Sequence, residues 1–180
     1  MKKIFICIDL KSFFASCECS KRNLDPFTTN LVVADKTRGE NALCLAITPA
    51  MKKLGIKNRC RTKDIPGDIS YIIAKPRMKM YMEYSAKIYG IYLRYVSSKD
   101  VHVYSIDECF IDITSYLKYY KKKPKEFAEM LMSAVFEETG ITATVGIGTN
   151  LYLAKIAMDI IAKHVDDNIG MLTENTYRKY

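Results

Sequence analysis

The chain has 180 residues, 49% of them hydrophobic and 27% charged, with only 8 Gly and 5 Pro. That composition excludes disorder and collagen-like or low-complexity structure, and the length suits one domain or two small ones that fold without a metal or disulfide. Lys and Arg number 28 against 20 Asp and Glu, a net charge of +8, which favours an anionic partner, with nucleic acid the first candidate.

Residues 3–9 (KIFICID) read as a strand apolar on both faces, too short for a secretory signal. Residues 11–19 open a helix, and Asp25-Pro26 marks a turn after it. Leu31–Ala34 is a short strand candidate, Asp35–Asn41 a polar turn and Ala42–Ile47 a second strand. Pro49 suits a first helical turn with Thr48 as N-cap, and Gly55 closes that helix. The longest helical pattern covers 76–96, where Tyr81, Ile88, Tyr92 and Tyr95 form one core-facing stripe. Residues 101–114 (VHVYSIDECFIDIT) are strand-like around Asp107 and Glu108. Helix returns over about 124–138, strand over 142–147 and helix over about 151–163. This order predicts an α+β fold with helices on one side of an antiparallel sheet. The six cysteines lack a CxxC pair and only two histidines are present, so the thiols read as reduced and structural. No apolar run reaches the roughly 18 to 20 residues of a membrane span, and the expected setting is cytoplasmic, with no membrane contact.

An Asp ending a buried strand is costly unless something pairs it, and Asp9 directly follows Ile-Phe-Ile-Cys-Ile. Asp107 and Glu108 interrupt the other apolar strand region in the same way. Adjacent strand residues point to opposite faces, so both serve one site only where the chain turns. Three such carboxylates suit a hard cation such as Mg²⁺. A pair of these ions about 3.5–4 Å apart can activate a hydroxyl and neutralise a leaving phosphate. The same residues also read as a helix cap at Asp9 and a polar hairpin turn at 107–108.

Segment 8–18 (IDLKSFFASCE), with 104–112 (YSIDECFID), resembles the two catalytic motifs of the Y-family translesion DNA polymerases, and is most similar to the UmuC/ImpB/MucB/SamB branch. Val145–Asn150, with Leu153–Ala157 after it, resembles the late palm strand and helix of that family. Cys44–Arg61 resembles its fingers helix and the stretch next to it. The matches occur in family order over nearly the whole chain.

The resemblance implies a polymerase palm with a ferredoxin-like core, over 1–18 and 76–166, and a small fingers subdomain over 19–75. It implies the start of a thumb at 167–180, with Met171–Tyr180 as its first helix. Thumb and little-finger domains lie outside the chain, which reads as part of a longer protein with very weak unaided primer extension. The implied activity is template-directed dNTP addition to a primer 3′-OH in error-prone DNA damage tolerance and repair. Asp9, Asp107 and Glu108 then ligate two Mg²⁺ ions, with the Leu10 carbonyl on the nucleotide-side metal and Mn²⁺ able to substitute. Phe14 matches the steric gate under the sugar, and the N–H groups of Ser12, Phe13 and Phe14 cradle phosphates. Lys155 matches the palm-helix lysine on the triphosphate, and its bland alternative is an i,i+4 pair with Asp159. Lys52 and Pro49 stand where relatives often carry Arg and Tyr, so Lys52 supplies a point charge and Thr48 the remaining donor. Lys11 stands where many relatives have an acid.

Six of the twelve residues at 52–63 are basic and none is acidic, and five lysines flank Tyr119 and Tyr120 between 118 and 125. Both stretches read either as phosphate contacts or as solvated loops. Implied partners are primer–template DNA and dNTP, with a sliding clamp and other repair proteins reached through the C-terminal region outside the chain. Two alternatives stay open: a nucleotidyl cyclase, for which no GGDEF-like turn is present, and a non-catalytic nucleic-acid-binding paralogue.

Overall fold

The computed structural model describes residues 3–178. In chain order its elements are β1 (Phe5–Leu10), α1 (Phe13–Lys21), β2 (Leu31–Val33), β3 (Ala46–Ile47), α2 (Pro49–Lys53) and β4 (Ile72–Ala74). Next come α3 (Met78–Tyr92), β5 (Val101–Val103), β6 (Glu108–Asp112), α4 (Thr114–Tyr119) and α5 (Pro124–Thr139). The last are β7 (Ala143–Gly148), α6 (Leu151–Ile156), β8 (Ile169–Leu172) and α7 (Glu174–Tyr177). The chain forms two compact units, one of residues 11–84 and one of the chain up to Leu10 and from Ser85 onward; the second changeover falls inside α3.

The larger unit is built on a five-stranded sheet in the order β5-β6-β1-β7-β8. Strand β1 lies at its centre, antiparallel to both β6 and β7. That position explains the unbroken apolar run: a strand covered on both faces has no polar side to alternate with. Ile6, Cys7 and Ile8 are all fully buried. Cys7 and Phe110 pack with Ala154 and Met158 on one face. On the other, Ile88 and Tyr92 of α3 line a hollow together with Cys109.

Helix α5 begins with Pro124 at its first turn and Glu126 accepting a hydrogen bond from the Lys123 N–H at 2.7 Å. It buries Phe127, Ala128, Leu131, Ala134 and Val135, an i, i+1, i+4, i+7, i+8 stripe. Gly140, at φ 67°, ends it in the left-handed conformation that glycine adopts without strain.

Two features of the sheet depart from the expected layout. Helices cover both of its faces, and β8 runs parallel to β7, with Val145 opposite Ile169. A parallel neighbour needs a crossover, which the α6 segment supplies. Close packing of that crossover depends on glycine. A Cβ on Gly146 would strike the Ala154 carbonyl and the Met158 N–H, and one on Gly148 would strike the Ala154 backbone. Those obstacles are backbone, which cannot rotate away. Gly146→Ala is therefore expected to destabilise this unit by about 1–3 kcal/mol, the usual cost of overpacking, read as a lowered melting temperature. An unchanged melt would show that the α6 segment shifts freely.

The smaller unit holds a three-stranded sheet in the order β3-β2-β4, with β2 antiparallel to β3 and parallel to β4. Its core gathers Val32, Ala34, Ala42, Cys44, Ile47, Met51, Ile56 and Ile65. Thr48 caps α2 as expected, accepting from the Met51 N–H, and Gly55 closes it at φ 82°. Glu18 of α1 is fully buried, accepting from Tyr81 Oη at 2.7 Å and pairing with Arg22 and Arg77.

Other expectations need correction. Met171 lies in β8, and the only helix after it among the described residues is the four-residue α7; the end of the expected helix, Lys179–Tyr180, lies outside the described residues. Helix 151–163 is not uniform: α6 passes into a π-helical turn at Ala157–Ile161 and a 3₁₀ turn at Ala162–His164. The polar turn at 35–41 is a 3₁₀ segment, and β4 and α4 stand where no element was expected. None of the six cysteines forms a disulfide, and five of them are buried. Among the described residues no helix is long and apolar enough to cross a membrane.

Candidate active site

Backbone register brings the carboxylates together. Asp9, near the end of β1, lies opposite Glu108 at the start of β6. Asp107 sits one residue earlier, in the bend between β5 and β6. The chain turns where the opposite-faces argument requires it to. The Tyr104 and Ser105 N–H groups both donate to the Glu108 carbonyl, at 2.9 and 3.0 Å, and the Leu10 N–H donates to the Asp107 carbonyl at 2.9 Å. Ser85 Oγ pins the bend by donating to the Ile106 carbonyl at 2.6 Å, and Ser105 Oγ donates to Asp107 Oδ1 at 2.8 Å.

Two lysines from the α6 segment stand on these carboxylates. Lys155 Nζ lies 2.7 Å from Glu108 Oε1 and Lys163 Nζ lies 3.1 Å from Asp9 Oδ2. Asp159 bridges them, 3.1 Å from Lys155 and 2.8 Å from Lys163. Cys7 Sγ donates to Glu108 Oε1 at 3.3 Å. Burial pushes the Asp9 carboxyl upward; Lys163 opposes this, and the negative charges of Asp107 and Glu108 add to it. Asp9 therefore feels both other carboxylates. Burial and the adjacent Glu108 charge also push the Cys7 thiol well up. For Lys155, burial pulls downward, but its bonds to Glu108 and Asp159 outweigh that and hold the ammonium well above its ordinary value.

The donor set is all oxygen, which fits a hard divalent cation. Among the described residues no three His, Cys, Asp or Glu side chains already surround one point. Asp9 and Glu108 are each paired with a lysine, which competes with a cation for the charge of the same carboxylate.

The other candidates lie in the 11–84 unit. Ser12 occupies the residue before α1 at φ 48°, and its hydroxyl is buried without a hydrogen-bond partner among the described residues. Phe13 is a core residue, whereas Phe14 is half-buried and stacks on Tyr81 with ring centroids 4.5 Å apart. Lys52 is exposed on α2. Burial lowers the Lys11 ammonium, and the charge of Lys52 lowers it further. Thr48 needs correction as a phosphate donor. It is fully buried, and its hydroxyl donates to the Thr29 carbonyl at 2.8 Å while accepting from the Leu31 N–H at 3.2 Å. A hydroxyl has one proton to give, and that one is spent on the fold.

From the sequence, Asp159 stands only as an i,i+4 partner of Lys155, and Lys163 has no assigned role. The i, i+4, i+8 spacing of Lys-Asp-Lys was the available signal.

The fold is that of a Y-family polymerase palm with a smaller unit inserted in the sequence. A solved Y-family DNA polymerase chimera, Dbh-Dpo4(243-245)-Dbh, superposes with a TM-score of 0.82 at 25% identity, covering 98% of this chain and 50% of that one. DinB from Sulfolobus solfataricus gives 0.77 at 25% identity, over 96% of this chain and 49% of its own. Residues 8–159 match the impB/mucB/samB family, and the chain belongs to it. UvrX of Bacillus subtilis, named for UV-damage repair, is 38% identical over 94% of this chain and 39% of its own length. DNA polymerase IV 2 of the same organism is 32% identical over 98% of this chain and 42% of its own. The chain thus spans about two-fifths of the length of these curated relatives.

Proposed function

We propose that the chain is the catalytic part of a translesion DNA polymerase, adding dNTPs to a primer 3′-OH on a DNA template during DNA damage tolerance. The observation that carries this reading is the register of Asp9 against Glu108, with Asp107 in the adjoining bend, inside a chain of this family. Asp9, Asp107, Glu108 and the Leu10 carbonyl would hold two Mg²⁺ ions. Those ions, when bound, supply activation of the 3′-OH and neutralisation of the departing pyrophosphate. The chain's own residues bind and orient. Lys155 is placed to offer its ammonium to the triphosphate once it leaves Glu108. The N–H groups of residues 12–14, which come soon after Asp9 along the chain, take phosphate oxygens, with the buried Ser12 hydroxyl as a further donor. Phe14, backed by Tyr81, excludes a ribose 2′-OH, and Lys52 adds a positive charge. The five-stranded unit takes the palm role and residues 19–75 the fingers role.

The test is anomalous diffraction from crystals grown with primer–template DNA, a dNTP and Mn²⁺. Manganese density between Asp9, Asp107 and Glu108 is expected. Bound DNA with manganese absent from those carboxylates would overturn the two-metal reading and leave a non-catalytic DNA-binding protein.

A further inference from the structure

The α6 segment contains a feature the polymerase reading does not use. Its α-helical part ends at Ile156, a π-helical turn spans Ala157–Ile161 and a 3₁₀ turn comes next. A π turn holds one residue more than an α turn, and such turns recur at functional sites. This one is built into the fold: Gly170 of β8 lies so close that a Cβ there would strike the Ala157 carbonyl and the Ala162 N–H. Lys155, Asp159 and Lys163 recur at four-residue steps through the irregular stretch. Both lysines reach the carboxylates of the central strands while Asp159 still touches each of them.

We propose that Lys155, Asp159 and Lys163 form an ion-exchange latch: the lysines neutralise Glu108 and Asp9 in the metal-free protein, and Asp159 keeps both ammonium groups when divalent cations take those carboxylates, until a triphosphate draws Lys155 away. The inference rests on Asp9 and Glu108 being metal ligands. A divalent ion held at roughly 2.1 Å by Asp9 draws on the same carboxylate charge as the ammonium 3.1 Å away and repels that ammonium, so metal binding weakens the ion pair. The charges support exchange. Asp9, Asp107, Glu108 and Asp159 contribute four negative charges and the two lysines two positive ones, so the cluster keeps a net negative charge that attracts the incoming cations. Without Asp159 a displaced ammonium would have to go to solvent. With it, each lysine pivots onto a carboxylate already 2.8–3.1 Å away. Lys163 is thus a positioning residue for Asp9, and Asp159 acts through the lysines.

The test measures Mn²⁺ affinity by EPR and melting temperature in EDTA for the wild type, Lys163→Met and Asp159→Asn. Lys99→Met serves as a control that removes one positive charge from an exposed site in the same unit. Lys163→Met is expected to melt lower in EDTA and to bind Mn²⁺ on the order of fivefold more tightly, the scale of one partly exposed ion pair. Asp159→Asn is expected to bind Mn²⁺ more weakly by a similar factor, and Lys99→Met to change neither quantity. In EDTA the losses from Asp9→Asn and Lys163→Met should be non-additive, as for residues in direct contact. If Lys163→Met matches Lys99→Met in both readouts, the latch is wrong while the polymerase reading stands. If the wild type binds no Mn²⁺ at these carboxylates, the metal reading fails and the exchange fails with it.

Discussion

Glu18→Ala is expected to destabilise the 11–84 unit by about 3 kcal/mol, the low end of the cost of breaking a buried ion pair. Glu18 is wholly buried and accepts from four donor groups on three residues: Tyr81 Oη at 2.7 Å, Arg77 at 2.5 and 3.0 Å, and Arg22. Alanine leaves the buried Tyr81 hydroxyl without an acceptor and opens a cavity beside it. The arginines are 34% and 42% exposed, so both can turn toward water, which keeps the loss from rising further. Hydrogen exchange of amides in 11–84 reads the effect, with Tyr81→Phe as comparison. That change removes only the donor and should cost about 1 kcal/mol. Equal losses for the two variants would mean that the arginine pairs contribute nothing.

The same group predicts a pH dependence. Burial alone would raise the Glu18 carboxyl, but the bonds from Arg77, Tyr81 and Arg22 outweigh it and hold the carboxyl below its usual range. A carboxylate whose folded value is depressed contributes fully above the ordinary Glu value of about 4.3, and the contribution disappears as pH falls through the folded value. The wild type should therefore lose stability more steeply than Glu18→Gln as pH drops below about 4.3. Parallel curves would show that Glu18 is not ionised in the fold.

Long elements with clear punctuation can be read from the sequence. Helix α5 has Pro124 at one end and Gly140 at the other, and β1 takes up most of the five-residue apolar run Ile4–Ile8, which Asp9 directly follows. The elements that escape such a reading are short and borrow their stability from neighbours. β4 is three residues, and β8 is four with a glycine chosen for close approach, so neither has room for a periodic pattern. Helix α4 is hidden by the lysine-rich stretch that begins within it. At the site, Asp9, Asp107 and Glu108 stand out because charges interrupt apolar runs there. The Thr48 donor fails because a sequence does not show whether a hydroxyl is already spent on a carbonyl. The Lys163–Asp9 pair joins residues 154 positions apart (163 − 9) and depends on a π turn that helical periodicity does not announce. Glu18 reads in the sequence as one more motif residue. Its isolation in α1, an otherwise mostly apolar helix, is the mark of a buried, paired acid.

Asp107→Asn is expected to abolish nucleotidyl transfer while leaving fold and DNA binding intact, and so separates the polymerase reading from the non-catalytic one. Asparagine has the size of aspartate and its amide oxygen can still accept from Ser105 Oγ, so the bend pinned by Ser85 should persist. What disappears is a full negative charge. The neutral amide neither attracts a divalent cation strongly nor offsets its charge, and metal-held positioning of the 3′-OH and triphosphate is lost together. Losing an interaction made mainly in the transition state should cost at least about 4 kcal/mol, a factor of roughly 10³ in rate. Single-turnover extension of a labelled primer–template, with protein in large excess, gives the comparison even where the wild-type rate is slow. Fluorescence anisotropy of the same DNA reports binding, and thermal melting reports folding. Loss of extension with unchanged anisotropy and melting assigns Asp107 to the chemistry. Equal extension rates for both proteins would mean that the carboxylates of this sheet are not where the reaction occurs. Metal-independent DNA binding by both, without extension by either, would favour the non-catalytic reading. Asp9→Asn is a less clean probe, because it also removes the partner of Lys163 and changes the balance of charge along the α6 segment. Asp107 has no lysine partner among the described ion pairs, so its substitution isolates the carboxylate's own contribution.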